Sequence, residues 1–484
     1  IAIGYQALDA NTTGANNVAV GLSALTANTT GDTNTAVGKD SMKATTTGTN
    51  NSAFGARSLD ANTTGTNNVA VGDMALGANT TASSNTAVGT STLTTNTTGA
   101  NNTAVGTNAL NANTTASSNT AVGTSALTTN TTGADNIAMG MNALYSNTTG
   151  ASNVALGGSA MYYNTTADAN VAIGYAALNA NTTGDRNVAV GSAALDANTT
   201  ADANTAVGYA ALGANTTAES NTAVGFNAML VNTTGANNVA IGSTALDANT
   251  TASNNTAVGF AALGATTTGT NNTAVGYNAL VANTTGTGNA AFGLSAGDAI
   301  TTGNYNSATG RHALSGVTTG TGNSAIGNDA GSLTTTGDYN ISLGYNAQPL
   351  TDGADGNCTL GDSSISTLRC NDQSISALSD QRDKTDIVNS PYGLDFINTI
   401  QPRQFKWETR DGNAKDGKTR VGFIAQELLT ACDGDNDILD LVLDGNPDKL
   451  EAKYGNLLPI AIKAIQEQQT LIETLTARIE ALES

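Results

Sequence analysis

A serine and a lysine stand five residues apart in the stretch ALSDQRDKTDI, residues 377–387. A serine hydroxyl is a weak nucleophile and needs a base to attack a peptide bond. A lysine amine can be that base only when its pKa, ordinarily about 10.4, is lowered by removal from water or by neighbouring cations. Ser379 and Lys384 therefore have the residue types of a nucleophile and its general base. From the spacing alone, a helix-capping serine and a solvated lysine are the simpler interpretation.

The spacing also restricts how the two side chains can meet. Residues five apart lie on different faces of either a helix or a strand, so only a turn or a partner subunit brings Ser379 and Lys384 together. The second arrangement would complete the pair only after an oligomer has folded. Arg382 supplies a nearby cation that favours a neutral lysine, whereas Asp380 and Asp383 act in the opposite direction.

Upstream of this pair the chain is a repeat of 17 residues. Glycine recurs every 17 residues from Gly4 to Gly361, and an asparagine precedes each of these glycines except the first by four positions. The consensus is N-[TV]-A-V-G-x-x-A-L-x-A-N-T-T-[GA]-x-x. An unbroken register of this length predicts a stacked repeat architecture rather than a disordered tract.

Each unit predicts one short strand, a second short segment and two turns. In the first complete unit, Val18 and Val20 share one strand face and Ala19 occupies the other. We expect the valines and Leu25 to form a thin continuous core and the Asn and Thr positions to form ladders. The small alanine face predicts close approach of a neighbouring subunit. The leucine position fails late in the repeat, which predicts a cap or a change of shape there; its replacements are Gly297, Gly331 and Gln348.

These features predict a mostly β chain whose repeats form a parallel β-roll or solenoid. About 21 steps of roughly 4.8 Å give a rod on the order of 100 Å. The x-A-[VI]-G core of the repeat resembles the left-handed parallel β-roll of trimeric adhesin heads and phage tail-fibre shafts. That resemblance covers roughly residues 1–361 and implies that the β-roll is trimeric.

The composition changes at the end of the repeat. Thirteen of the 18 Lys and Arg residues lie beyond Gly361, as does the single tryptophan, Trp407. Residues 392–397 and 403–407 predict a helix followed by a strand, and residues 421–428 predict a strand running into a helix. A small α+β domain is therefore expected after the repeat.

This second region resembles the C-terminal intramolecular chaperone of endosialidase type, a self-cleaving serine peptidase domain of phage tail spikes and fibres. The resemblance rests on the S-D-x-R-x-K motif that begins at Ser379, on F-K-W at 405–407 and on G-F-I-A-Q-E at 422–427. It implies that Ser379 is the nucleophile, Lys384 the general base and Asp380 and Arg382 supporting residues. It also implies a single cut at Leu378–Ser379 after the domain has driven trimerisation.

The last residues predict a coiled coil. Apolar residues recur at intervals of seven in two series three residues apart. These series are Leu458, Ile465, Ile472 and Ile479, and Ala461, Gln468, Leu475 and Leu482. The seam pattern alone favours two strands, an inference that Gln468 in the core weakens, whereas the family resemblance implies three.

Charge and composition exclude several classes of function. The formal charge of −20 argues against binding to nucleic acid or to anionic membranes, and no apolar run is long enough for a membrane span. Three irregularly spaced cysteines do not predict a disulfide framework or a metal site. Residues 433–437 match the spacing of a calcium loop only in part, and the sole histidine, His312, has no evident partner. We expect no cofactor and no metal.

The sequence therefore predicts a phage tail-fibre protein for structure and host adhesion, located in the virion and made in the host cytoplasm. Its expected partners are two further copies of itself, a host surface receptor (a glycan or an outer-membrane component) and other tail proteins bound through a missing N-terminal region. The alternative is a bacterial trimeric surface adhesin without proteolytic activity. The predicted domains are the shaft 1–361, a connector with the cleavage region 362–378, the chaperone and autoprotease domain 379–455 and the coiled coil 456–484.

Overall fold

The computed structural model describes residues 1–362, 364–365, 379–406, 408, 417–445, 447–448 and 450–483. Most of the predicted connector, including Leu378, lies outside the described residues, and so does Trp407. The repeat region forms 22 short strands, one in each 17-residue coil. They are β1 Ala2–Ile3, β2 Val18–Val20, β3 Thr35–Val37, β4 Ser52–Phe54, β5 Val69–Val71, β6 Thr86–Val88, β7 Thr103–Val105, β8 Thr120–Val122, β9 Ile137–Met139, β10 Val154–Leu156, β11 Val171–Ile173, β12 Val188–Val190, β13 Thr205–Val207, β14 Thr222–Val224, β15 Val239–Ile241, β16 Thr256–Val258, β17 Thr273–Val275, β18 Ala290–Phe292, β19 Ser307–Thr309, β20 Ser324–Ile326, β21 Ile341–Leu343 and β22 Cys358–Leu360.

The strands pair in chain order to form one parallel sheet. Each strand is bonded to the strand one coil away, and each residue lies opposite the residue 17 positions later, as Ala36 lies opposite Ala53. The same offset holds at both ends of the stack, from the β1–β2 pair to the β21–β22 pair. The predicted parallel solenoid with a 17-residue period is therefore confirmed.

The face of each strand that points to the interior is the opposite of the one predicted. The central alanines face the interior and are inaccessible to solvent, as at Ala19 and Ala172. The flanking residues point outward, and Val69 and Val105 are each 36% exposed. The assignment of the valines to the core, and of the alanine face to a neighbouring subunit, was wrong. The coil is so narrow that a methyl group fills the space between its two walls.

The opposite wall supplies the large core side chains. Ala24 and Leu25 follow the strand-ending glycine and are fully buried, and their equivalents are buried through most coils. Leu25 has a left-handed backbone with φ of 50°, an unusual conformation for a leucine. Its amide donates to the carbonyl of Ser41 in the next coil, which helps to hold it in that conformation.

The glycine of the 17-residue period is required by close approach of the backbone. Gly21 has φ of 135°, and a Cβ atom there would clash with the carbonyl oxygen of Gly38. The same contact recurs along the stack, so the invariant glycines form a column in which no side chain fits.

Buried asparagines connect successive coils. The side-chain oxygen of Asn153 accepts a hydrogen bond from the amide of Asn170 at 3.0 Å, and its Nδ2 donates to the carbonyl of Ala167 at 2.8 Å. A second column lies in the turn, where Asn79 Nδ2 donates to Asn62 Oδ1 at 3.1 Å. The predicted asparagine and threonine ladders are confirmed, since Thr63 Oγ1 also donates to the carbonyl of Thr80 in the next coil at 3.0 Å.

The late irregularity of the leucine position is compensated within the coil. Where glycine replaces leucine at Gly297, the turn asparagine three residues later is replaced by Ile300. Ile300 is buried, and its Cδ1 atom occupies the space that a Cβ on Gly297 would enter. The core is therefore filled from the turn and the coil keeps its register. The last turn is held instead by Gln348, whose amide donates to the carbonyl of Asp329 at 2.6 Å.

The C-terminal region is a small domain with both helices and strands. Its elements are α1 Leu394–Ile397, β23 Arg403–Lys406, β24 Thr419–Gly422, α2 Ala425–Cys432, α3 Asn436–Leu439, β25 Val442–Leu443, β26 Glu451–Ala452 and α4 Leu457–Glu483. The pairs β23–β24 and β25–β26 are antiparallel. The predicted helix and strands are present, with bounds that differ by a few residues, and the chain ends in the predicted long helix.

Within the described residues, α4 packs on this domain through its first part. Leu457, Ile460 and Ala464 are buried there, while Ile465 and Ile472 are 65% and 51% exposed. No helix in the described part of the chain is long and apolar enough to span a membrane.

The inward alanine face gives a direct stability test. Ala172→Leu inserts three carbons into a filled interior and is expected to destabilise the shaft by about 1–3 kcal/mol. Thr183→Leu places the same side chain at an exposed turn of the same coil and should change stability by no more than about 0.5 kcal/mol. Denaturant unfolding of the full chain, followed by circular dichroism, measures both. Equal effects would contradict the assignment of the alanines to the core.

Candidate active site at the domain border

A single turn opens the C-terminal domain. Residues Gln381–Asp383 form a 3₁₀ helix, and the Asp380 carboxylate caps it by accepting a hydrogen bond from the amide of Arg382 at 2.9 Å. Asp380 is therefore the capping residue, and the interpretation of Ser379 as the cap was wrong. The turn ends at Lys384, whose amide donates to the carbonyl of Gln381.

The cap is reinforced by an ion pair across the same turn. Arg382 Nε lies 3.1 Å from both carboxylate oxygens of Asp380, and its second guanidinium nitrogen lies 2.6 Å from Oδ2. The guanidinium bond, and then the backbone amide, hold the pKa of Asp380 below its ordinary value. The same pairing raises the pKa of Arg382. Asp380 therefore largely balances the positive charge of Arg382, which was expected to act on Lys384.

The turn brings the serine and the lysine together within one chain. Lys384 Nζ lies 2.6 Å from Ser379 Oγ, which is hydrogen-bonding distance. Of the two routes that the spacing allowed, the structure shows the turn. A partner subunit is not needed to form this contact.

Both members of the pair are exposed to solvent in the single chain. Transfer of the serine proton requires a neutral amine, and an amine loses its proton readily only where water is excluded or cations are close. The single chain therefore supplies the geometry of a nucleophile and base, while the desolvation that activates such a pair would have to come from a covering surface. Leu378, on the other side of the predicted cut, lies outside the described residues.

The residues of the partial calcium loop make hydrogen bonds within the domain instead. Asp435 accepts a hydrogen bond from the Tyr392 hydroxyl at 2.7 Å, and Asn436 Nδ2 donates to the carbonyl of Val442 at 2.8 Å. Among the described residues, no group of three or more His, Cys, Asp and Glu side chains could hold a metal ion. His312 has a partner that sequence reasoning missed: Asp329 Oδ1, one coil later, lies 3.4 Å from its Nδ1.

The chain thus combines a long parallel solenoid with a small domain that ends in a long, largely exposed helix. Residues 379–434 match the family model described as the chaperone of endosialidase, and the matched segment includes all four motif residues of the turn. Together these findings fit a tail-fibre or tail-spike protein that carries an intramolecular chaperone. Comparisons with curated proteins and with solved structures gave no significant match.

The Asp380–Arg382 pair predicts a pH response of the turn. Because the folded-state pKa of Asp380 is depressed, its contribution to the turn is present above the ordinary carboxyl range and is lost as pH falls through the lowered value. Arg382→Gln removes the main cause, so the pKa of Asp380 should rise toward its ordinary value. Carboxyl ¹³C shifts measured against pH report this value. Arg403→Gln, which breaks a pair with Glu427 elsewhere, should leave it unmoved.

Proposed function

We propose that this chain is the shaft and assembly domain of a homotrimeric phage tail fibre. Its C-terminal domain aligns three copies and then cuts the chain once at Leu378–Ser379, as a single-turnover serine endopeptidase. The observation that carries the proposal is the 2.6 Å contact between Lys384 Nζ and Ser379 Oγ at the border of a shaft and a chaperone-like domain.

The outward strand face supports self-association of the shaft. The last residue of every shaft strand is apolar except Thr309, and we call this column, from Ile3 to Leu360, the outer stripe. Its members are partly or largely exposed, and Ile241 is 41% exposed. A continuous apolar surface of this length marks a covered face in soluble proteins. A second copy with the same 17-residue period is a partner whose surface repeats at the same interval along the whole stripe.

The terminal helix supports the same assembly. Leu458, Leu475 and Leu482 of the predicted seam are 64%, 56% and 86% exposed in the single chain. An apolar seam of this kind is buried when helices wind together. Leu458 and Ala461 also line a groove of about 550 Å³ whose other walls include Val421 and Phe423. The seam therefore continues onto the body of the domain, where neighbouring copies would meet.

The cleavage step uses the pair as found. Once Lys384 is neutral, its amine takes the proton from Ser379 Oγ, which attacks the carbonyl carbon of Leu378. The C–N bond breaks as an ester C–O bond forms, and the proton passes to the nitrogen, which becomes the new α-amine of Ser379. Water then hydrolyses the ester, leaving a carboxylate on Leu378. Covering of the exposed pair by the assembled copies supplies the desolvation, which links cleavage to completed assembly.

The released shaft would act in the virion as the part that reaches the host. A stiff rod with many exposed side-chain columns suits adhesion to a host surface receptor, and its other end would join the remaining tail proteins. A bacterial trimeric adhesin, the alternative, would have the same kind of shaft but would not require a cleavage site.

Cleavage is tested by expressing the full chain and its Ser379→Ala variant. The wild type should give two fragments on a denaturing gel, and N-terminal sequencing of the smaller should begin at Ser379. Ser379→Ala and Lys384→Ala should lower the cleavage rate by at least about a hundredfold, because each removes one half of the pair. Arg403→Gln, at a pair distant in sequence from the cut, is the matched control. An uncut wild-type trimer would contradict the proposed peptidase function but not the proposed assembly function.

The outer stripe is tested by charge. Lysine at Val190, Val207 and Val224 would bury three cations against neighbouring copies, so the trimer should dissociate or melt at least about 10 °C lower. Lysine at Thr183, Thr200 and Thr217, exposed turn residues of adjacent coils, is the control for added charge. Analytical ultracentrifugation and thermal melting measure both sets. A wild-type monomer, or equal effects of the two sets, would contradict a trimer joined through this stripe.

A further inference from the structure

A two-coil alternation appears near the end of the shaft, superimposed on the 17-residue repeat. The turn segments of four successive coils read TTGTGN, TTGNYN, TTGTGN and TTGDYN. One column of the solenoid therefore reads Gly288, Tyr305, Gly322, Tyr339 and Gly356. We call the two tyrosines of this column the tyrosine platforms. In the preceding coils the column holds mostly Asn, Ser and Ala, with no such alternation.

Each platform lies on the glycine of the coil before it. A Cβ atom on Gly288 would lie 2.7 Å from Cδ1 of Tyr305, and a Cβ on Gly322 would lie 2.8 Å from Cδ1 of Tyr339. Any residue other than glycine at position 288 or 322 would therefore clash with the ring above it. Both tyrosines are 68% exposed, so each ring keeps surface open to solvent.

The backbone holds both platforms in place. The amides of Tyr305 and Tyr339 donate to the carbonyls of Thr287 and Thr321 at 3.0 and 2.9 Å. The residue before each tyrosine also reaches back one coil: Asn304 Oδ1 accepts from the amide of Thr287 at 2.8 Å. Asp338 Oδ1 makes the equivalent bond to Thr321 at 2.7 Å. Each ring thus stands beside an ordered polar side chain.

The platforms have no role in the core of one copy. Their column is exposed in the shaft except at Gly288 and Gly322, which the rings cover, and most other coils keep the same backbone with a small residue there. A ring seated on a glycine recurs every second coil, at a spacing of about 10 Å, and this spacing matches a ligand that itself repeats at that distance. A chain of sugar rings has this character, since two pyranose units of an extended polysaccharide cover a similar length.

The chemistry of the platforms also fits a saccharide. The face of an aromatic ring is negative and attracts the slightly positive C–H groups on the face of a pyranose. The neighbouring amide and carboxylate can accept hydrogen bonds from sugar hydroxyls. The chain's formal charge of −20 works against polyanions such as nucleic acid. We infer that Tyr305 and Tyr339 form a binding site for a surface polysaccharide, with one sugar face on each ring. This inference rests on the proposed adhesion function.

The test is binding of the purified full chain to an array of purified bacterial surface polysaccharides. The wild type is expected to bind at least one of them. The double variant Tyr305→Ala/Tyr339→Ala should lose at least tenfold in apparent affinity for that polysaccharide. The matched control is Tyr175→Ala/Tyr345→Ala, which removes two tyrosines that are 70% and 62% exposed in another column and should bind as the wild type does.

A second pair of variants leaves both rings in the sequence. Gly322→Ala places a methyl group under Tyr339 and should weaken binding at least fivefold. Gly356→Ala is made at a similar backbone angle, φ of 67° against 71°, with nothing within 4 Å of the new methyl, and should bind normally. This comparison separates tilting of the ring from backbone strain.

The outcomes are distinct. Binding that survives in the Tyr305/Tyr339 variant, or that falls equally in the Tyr175/Tyr345 control, overturns the platform site and leaves adhesion intact. A variant whose trimer dissociates or melts at a lower temperature also overturns it, because the rings would then join neighbouring copies. Absence of binding by the wild type to every polysaccharide overturns both the site and the proposed adhesion to glycans.

Discussion

The buried carboxamide of asparagine is the group on which the shaft depends. A coil of 17 residues encloses too little space for ordinary apolar side chains around its whole circumference, and its turns leave backbone groups without partners inside. The asparagines on both sides of the turn solve this problem because most of their side-chain amides donate to a carbonyl and accept from a neighbouring coil. Asn153 does both, since its Nδ2 donates to Ala167 and its Oδ1 accepts from the amide of Asn170. Since buried polar groups without partners are costly, each coil is stable only when stacked on the next.

The same constraint explains which parts of the fold the sequence predicts. The period, the parallel register and the ladders follow from residues that recur at fixed intervals, so they could be predicted without coordinates. Which face of each strand points to the interior could not be predicted in this way. Alternation places Val18 and Val20 on one face and Ala19 on the other, and burial of the larger residues is the usual rule. Here the narrow coil reverses that rule, because in most coils the strand contributes only a methyl group to the interior while the opposite wall contributes the leucine.

The residues of the site could be predicted from the sequence, but their geometry could be predicted only in part. The order of serine, aspartate, arginine and lysine is readable in the sequence, whereas the capping role of Asp380 depends on where the 3₁₀ turn begins. The pairing of His312 with Asp329 shows a related difficulty, because residues one coil apart are neighbours in space without being neighbours in sequence. The tyrosine platforms were hidden for the same reason: their alternation appears only when successive coils are aligned in columns.

The equal length of the coils has a consequence for how such a shaft can change over generations. Loss or gain of one 51-nucleotide unit in the gene removes or adds a single layer and rejoins the same columns above and below it. The fibre can therefore lengthen or shorten without a compensating mutation elsewhere. A surface feature such as the tyrosine pair can be carried nearer to or farther from the tip in steps of one layer, about 4.8 Å, while its own geometry stays the same.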